Sequence, residues 1–328
     1  RSMVISDKQA LRRCVKQAVR RAEVVETMLD FDVLHGELGV VPLMSRIALS
    51  SANTPLGGNA AAVAAAMDAL EMPMSDPARA ELIQSGYTRD AYLREILDVM
   101  KAKHVLVRIP MEKAQNLQFH DDRFAPLVAV PPACFTPGRY GTDYRQCAEN
   151  ILESAKKCGA QDILLEHFDR DALEYSAIPA CQDGHLRLHI GVADKTELDA
   201  LAGLMDRASD VYMVVSSEDE LERRLIDTAA VRLRMFVQLS DMDHLPYAFE
   251  KLGLRLIPYA SGADLPELML GRWILVREKI WQALADAYLP LARSGYSLQS
   301  EDIARDVQQL MSGNLKFELD ETARNALD

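Results

Sequence analysis

The chain of 328 residues has few of the features that announce a function directly. Its five cysteines, Cys14, Cys134, Cys147, Cys158 and Cys181, are an odd number, lie far apart and form no CxxC pair. That pattern argues against a disulfide scaffold, a structural zinc site and a cysteine nucleophile, and suits the reduced thiols of a cytoplasmic protein. Phosphate-cradling turns are also missing. Neither GxGxxG nor GxxxxGK[ST] occurs, and "GELG" and "LGGN" have the wrong spacing. No window reaches the roughly 18 consecutive apolar residues of a membrane span. The alanine-rich "GNAAAVAAAMDALEM" is too short and carries Asp68. The basic, amphipathic "RSMVISDKQALRRCVKQAVRRAE" has no apolar signal core, so a cytoplasmic location is expected. Positive charge is scarce: 37 Lys and Arg face 49 Asp and Glu, a formal net charge of -12. Neither a nucleic-acid partner nor an anionic membrane surface is expected of such a balance.

What is present is a globular composition, 49% hydrophobic and 26% charged. It is enough for one large α/β barrel of about 250 residues with appended helices. Short β-branched runs alternate with helical stretches, which favours parallel βα units. The runs are "ETMLDFDV", "HVLVRIP", "FAPLVAVPP", "DILLEHF", "LRLHIG", "DVYMVVSS", "RLRMFVQLS" and "LRLIPYAS". Eight such units close into a barrel without exposed edges. The expected fold is therefore α/β, a (β/α)8 TIM barrel spanning 1–328 as one domain. A helical segment is inserted after the first strand, over about 35–100, and extra C-terminal helices occupy 266–328. An open doubly wound sheet is the weaker alternative, since it lacks its glycine-rich turn.

Three segments then resemble the amidohydrolase superfamily, and most closely its uronate (glucuronate) isomerase-like branch. "LRLHIG" resembles the fifth-strand "QLHIGA". The stretch from "FVQLSDMDHL" to "REKIWQAL" has the layout of the last two strands and the helix after them. "SEDIARDVQQLMSGNLKFEL" resembles the closing helix, with Asn314 before an aromatic and Leu. "DDRFAPLVAVPP" and "LDFDVLHGEL" fit the third and first strands less specifically. The resemblance implies a (β/α)8 barrel and a divalent metal held by an HxH pair on strand one, a histidine on strand five and an aspartate after strand eight. Here the first pair is Asp32 and Leu34, the aspartate position is Gly262, and His189 alone keeps register. Leucine and glycine offer no ligand atom, so the metal-ligand motif is degenerate.

Pocket residues of such a barrel come from the C-terminal ends of strands. His189 and Glu166 are the candidate catalytic residues, either of them able to carry a proton. Arg108, Asp32, His35, His167, Ser216, Ser240 and Ser261 are candidate substrate contacts, with Arg108 suited to gripping a carboxylate. Arg108 and Glu166 could equally form a structural bridge between strands. No metal or other cofactor is assigned. Zinc or manganese would enter only through a rearranged set of Asp32, His35, His167 and His189. "HFDRD" and "SDMDH" lack calcium-loop spacing and are expected to cap helices. Trp273 and Trp281 read as core or interface anchors, and "RRCVKQAVRR" as a solvated helix face. The function that follows is isomerisation or hydrolysis of a small carboxylate-bearing molecule such as a sugar acid. A non-catalytic barrel that binds a ligand or partner subunit is the alternative, and a metal-dependent hydrolase with rearranged ligands the third. Homo-oligomerisation is compatible with all three.

Overall fold

The β-branched and apolar runs become eight short strands in the computed structural model, which describes residues 7–30, 58–73, 77, 81, 84–85, 88–134, 143–208 and 210–315. They are β1 (Val24–Asp30), β2 (Ala102–Pro110), β3 (Phe124–Val130), β4 (Asp162–Leu165), β5 (Arg187–Val192), β6 (Met213–Ser217), β7 (Met235–Gln238) and β8 (Leu256–Ile257). All seven pairings are parallel and follow chain order from β1 to β8. This curled sheet with helical crossovers is the (β/α)8 arrangement.

The helices are α1 (Lys8–Arg21), α2 (Gly58–Ala69), α3 (Arg89–Met100), α4 (Tyr144–Cys158), α5 (Lys195–Arg207), α6 (Asp219–Ala230), α7 (Leu245–Leu252), α8 (Pro266–Arg293) and α9 (Ser300–Gln308). Their ends carry the expected punctuation. Asp143 accepts from two backbone N–H groups at the start of α4, and Gly159 follows its end with φ +70°. Asp169 and Asp241, in the two acidic loops, cap helical turns as expected. The helical connection over 170–184, with a π turn at Leu173–Ala177, has no counterpart in the periodicity reading. The "RRCVKQAVRR" face is half right: Val15 and Val19 of α1 are fully buried, while its arginines are exposed.

Alternation along the strands separates two apolar layers. On β5, Leu188, Ile190 and Val192 pack into the larger layer against the helices. Val25, Leu106, Leu127, Ala129, Leu164, Val214, Ile257 and Leu315 form a smaller one inside the barrel. Among the described residues no ladder joins β1 to β8. The gap is covered by the C-terminal segment, whose Leu315 sits with Val25 and Ile257. Asn314 Nδ2 donates to the carbonyls of Leu254 (2.6 Å) and Leu256 (2.7 Å), and Thr27 Oγ1 of β1 donates to Gln238 Oε1 of β7 at 2.9 Å.

The alanine-rich α2 is explained by its partner. It crosses α8 so closely that a Cβ on Gly271 would stand 1.7 Å from the Ala62 carbonyl oxygen. Small residues on both helices allow that approach, and Ala62 and Ala66 are buried in it. Trp273, on the same helix, is a core residue. Trp281 is partly buried, with the Lys16 ammonium 4.9 Å from its ring centre. No helix among the described residues is long and apolar enough to cross a membrane.

Candidate active site at the barrel mouth

Arg108 stands on the inward side of β2, near the end where the strands stop. Its neighbours across the sheet are Asp30 on β1 and Leu127 on β3. Its guanidinium forms a close ion pair with Glu166, the residue after β4, and lies 3.8 Å from Asp30. The three side chains are 40%, 20% and 50% exposed respectively, so the cluster faces solvent at the mouth. The bridge between Arg108 and Glu166 therefore exists, in a place where a ligand can reach it.

Other candidates divide. His167 is exposed, and Ser216 is half-buried beside Gly191 of β5. Ser240 and Ser261 serve as loop anchors. The Ser240 backbone N–H and hydroxyl both donate to Glu222, the hydroxyl at 2.8 Å. Ser261 N–H donates to both oxygens of Glu26 at 3.1 Å. Asp32 and His35 lie outside the described residues.

His189 sits in the middle of β5, level with Leu164 of β4, one inward position short of Gly191. Only 2% of it is exposed. Its Nε2 is 2.7 Å from Asp162 Oδ1, at the start of β4. Asp162 also accepts from Arg187 Nε (2.7 Å) and Nη2 (2.5 Å). Burial pushes the Asp162 carboxyl up, but the charge and hydrogen bonds of Arg187, with those of His189, outweigh it and hold it well below the usual carboxylate range. His189 Nδ1 is buried and has no hydrogen-bond partner among the described residues. Neither Asp162 nor Arg187 is among the residues chosen from sequence. A signal exists in hindsight, since Arg187 and His189 alternate on the inward face of an otherwise apolar strand.

Two further buried carboxylates escape sequence reasoning. Glu26 on β1 accepts from Ser261, from Met28 N–H (3.1 Å) and from Trp273 Nε1 (2.8 Å). Burial pushes its carboxyl up and these hydrogen bonds only partly oppose that. Glu222, on the first turns of α6, accepts from Ser240, from Asp241 N–H (3.3 Å) and pairs with His244 Nδ1 at 2.6 Å. With Asp219 these two form the one trio of metal-type side chains found among the described residues, their ligand atoms within 4.8 Å of one another. Here the trio fastens the loop leaving β7.

No family model matches this chain, and no curated protein matches it. Solved structures do. A uronate isomerase from Bacillus halodurans aligns with a TM-score of 0.77 over 94% of this chain and 96% of its own, at 13% identity. The chain shares the fold of that enzyme. This is the fold implied by the "LRLHIG", "FVQLSDMDHL" and "SEDIARDVQQL" segments. An amidohydrolase 2 from Bifidobacterium longum subsp. infantis aligns over 84% of this chain and 98% of its own, at 12% identity with a TM-score of 0.45. At such identities the likeness extends to the fold alone.

Proposed function

We propose that the mouth of this barrel binds a small hydroxylated carboxylate, of the uronic acid class, and isomerises it without a metal. The observation carrying this reading is the Arg108 guanidinium, solvent-facing at the end of β2 between Glu166 and Asp30. An incoming carboxylate can replace Glu166 on the guanidinium by a two-pronged contact. The displaced Glu166 is then a free carboxylate that can take the proton from C2 of the open-chain uronic acid and return it to C1, while the O2 proton passes to O1, so that the C1 aldehyde becomes a C2 ketone with no outside oxidant or reductant. The fold shared with a uronate isomerase supports the same substrate class.

A metal of the kind held by such barrels fits these residues poorly. Leu34 and Gly262 stand at two ligand positions, His189 Nε2 is taken by Asp162, and Glu166 is taken by Arg108. The chemistry is accordingly assigned to the side chains alone.

The test is a panel of hexuronic and aldonic acids, read by thermal shift and by exchange of carbon-bound hydrogen in D2O. Binding raises the melting temperature because only the native state binds. Exchange in the wild type, lost about 100-fold or more in Glu166→Gln, is expected if Glu166 carries the proton. A shift without exchange would favour the second reading, a ligand-binding barrel without catalysis. Neither signal with any acid would sink both.

A further inference from the structure

We propose that Asp162 and Arg187 hold His189 as its Nε2–H tautomer, leaving the Nδ1 lone pair to accept a hydrogen bond from a ligand hydroxyl inside the barrel. The inference rests on the carboxylate-binding reading above and adds the orientation of the bound molecule. An ionised carboxylate can only accept, so the 2.7 Å contact between Asp162 and His189 requires the proton on Nε2. Arg187, bonded to both carboxylate oxygens, keeps Asp162 ionised. In the neutral ring the other nitrogen is then a bare acceptor, buried and without a partner among the described residues. Buried acceptors of this kind are rare, and each calls for a donor that is missing.

The direction of that acceptor follows from register. Asp162 lies two residues nearer the start of β4 than Leu164, the cross-strand neighbour of His189. The two nitrogens of an imidazole face nearly opposite ways, so with Nε2 turned toward the strand starts, Nδ1 is turned toward the mouth. The next inward residue in that direction is Gly191, which is exposed. Among the described residues, a Cβ built there would meet only the Ser216 hydroxyl, at 3.6 Å. Glycine therefore leaves open the space that a side chain would close over the ring. A carboxylate cannot donate to Nδ1, but a hydroxyl can. The acid group of the ligand thus stays at Arg108 and a hydroxyl-bearing carbon reaches down toward His189. Asp162 and Arg187 are positioning residues in this scheme, acting through the imidazole.

The experiment is 15N NMR of the histidine rings in the full chain at pH 8, which reports directly whether each ring nitrogen carries a proton. His189 is expected to show a protonated Nε2 and an unprotonated Nδ1. A saturating hexuronic acid should move the Nδ1 resonance and leave Nε2 in place. Asp162→Asn should transfer the proton to Nδ1, because the amide can donate to Nε2. Gly191→Ala, which keeps an allowed backbone and an ordinary contact with Ser216, should weaken hexuronate binding about tenfold or more with little change in melting temperature. An Nδ1–H tautomer in the wild type overturns the inference, as does unchanged affinity in Gly191→Ala. If the acid binds and Nδ1 does not move, the inference falls alone. If no acid binds, its ligand half falls together with the reading beneath it, while the tautomer stands or falls on the wild-type spectrum.

Discussion

The two ends of the barrel satisfy their buried backbone in opposite ways. Where the strands begin, side-chain donors reach backbone carbonyls. Arg277 of α8, itself buried, donates to Val19 O and to Ala22 O (2.9 Å) after α1, and to Met100 O (2.9 Å) at the end of α3. Arg255 does the same for Ala229 O (2.9 Å) at the end of α6 and Met235 O (2.9 Å) at the start of β7. Where the strands stop, carboxylates collect N–H groups: Glu26 on the loop after β8, Glu222 on the loop after β7, and Glu197 on Ala193 N (2.7 Å) ahead of α5. In a parallel βα barrel every helix ends at the first face and starts at the second. Unpaired carbonyls and the negative pole of each helix gather at one end, unpaired N–H groups and the positive pole at the other. Charge follows that demand. The mouth is acidic for structural reasons, so an anionic ligand there depends on Arg108.

The largest expected effect comes from breaking the carbonyl clamp. Arg277 has no carboxylate partner among its hydrogen bonds, and burial lowers its pKa to about 10, so it stays charged at neutral pH. Arg277→Met should leave three carbonyls without their donor and cost roughly 3–5 kcal/mol, since each buried unsatisfied group costs about 1–3 kcal/mol and the terms do not simply add. Urea unfolding measures this. A loss under about 1 kcal/mol would show that water replaces the guanidinium, and the clamp would be incidental.

A middle-sized effect separates the ends by pH. Glu26 has its pKa raised in the folded state, so the native protein binds its proton more tightly than the unfolded chain does. Its contribution is fully present below the unfolded value of about 4.3 and is lost as pH rises through the higher folded value. Asp162 is the reverse. Its folded pKa is depressed, so its contribution is present above the unfolded value of about 3.9 and is lost as pH falls toward the folded one. Glu26→Gln should cost about 1–3 kcal/mol through an imperfectly matched N–H cluster, and should remove a fall in stability with rising pH above about 4.3. Asp162→Asn should remove a loss on the acid side below about 3.9. Unfolding curves from pH 3 to 8 check both. Parallel slopes in the two variants would erase the distinction.

The sequence disclosed these elements unevenly, and the reason is physical. Strands and helices follow from local alternation and capping, so most of the eight runs needed only their ends moved, with β1 and β2 starting two residues earlier, while β8 shrank to Leu256–Ile257. Arg108 and Glu166 were legible because both stand at strand ends. The place of His189 on β5 was legible, but its burial was not, because that depends on the register of β4 against β5. Glu26 and Arg277 were invisible. Their partners lie far along the chain, as Ser261 does from Glu26 and Val19 does from Arg277, and no local pattern marks a carboxylate or guanidinium that folding will bury.

Arg108 tests the comparison from its weakest side. It has two carboxylate neighbours where Arg277 has none among its hydrogen bonds, yet it is half in water and Arg277 is not. Exposed ion pairs contribute about 0–1 kcal/mol, because solvent screens them and ordering long side chains opposes them. Arg108→Ala should therefore change unfolding free energy by less than about 1 kcal/mol, and removing the counter-charge leaves the partly exposed Glu166 carboxylate to hydrate. The same variant should lose any thermal shift given by hexuronic acids, since the acidic mouth then repels them. A stable variant that still responds to the acids would move carboxylate recognition away from Arg108. A variant destabilised as much as Arg277→Met would make Arg108 one more structural clamp, and the division between an architectural end and a ligand-facing end would fail at the residue meant to define it.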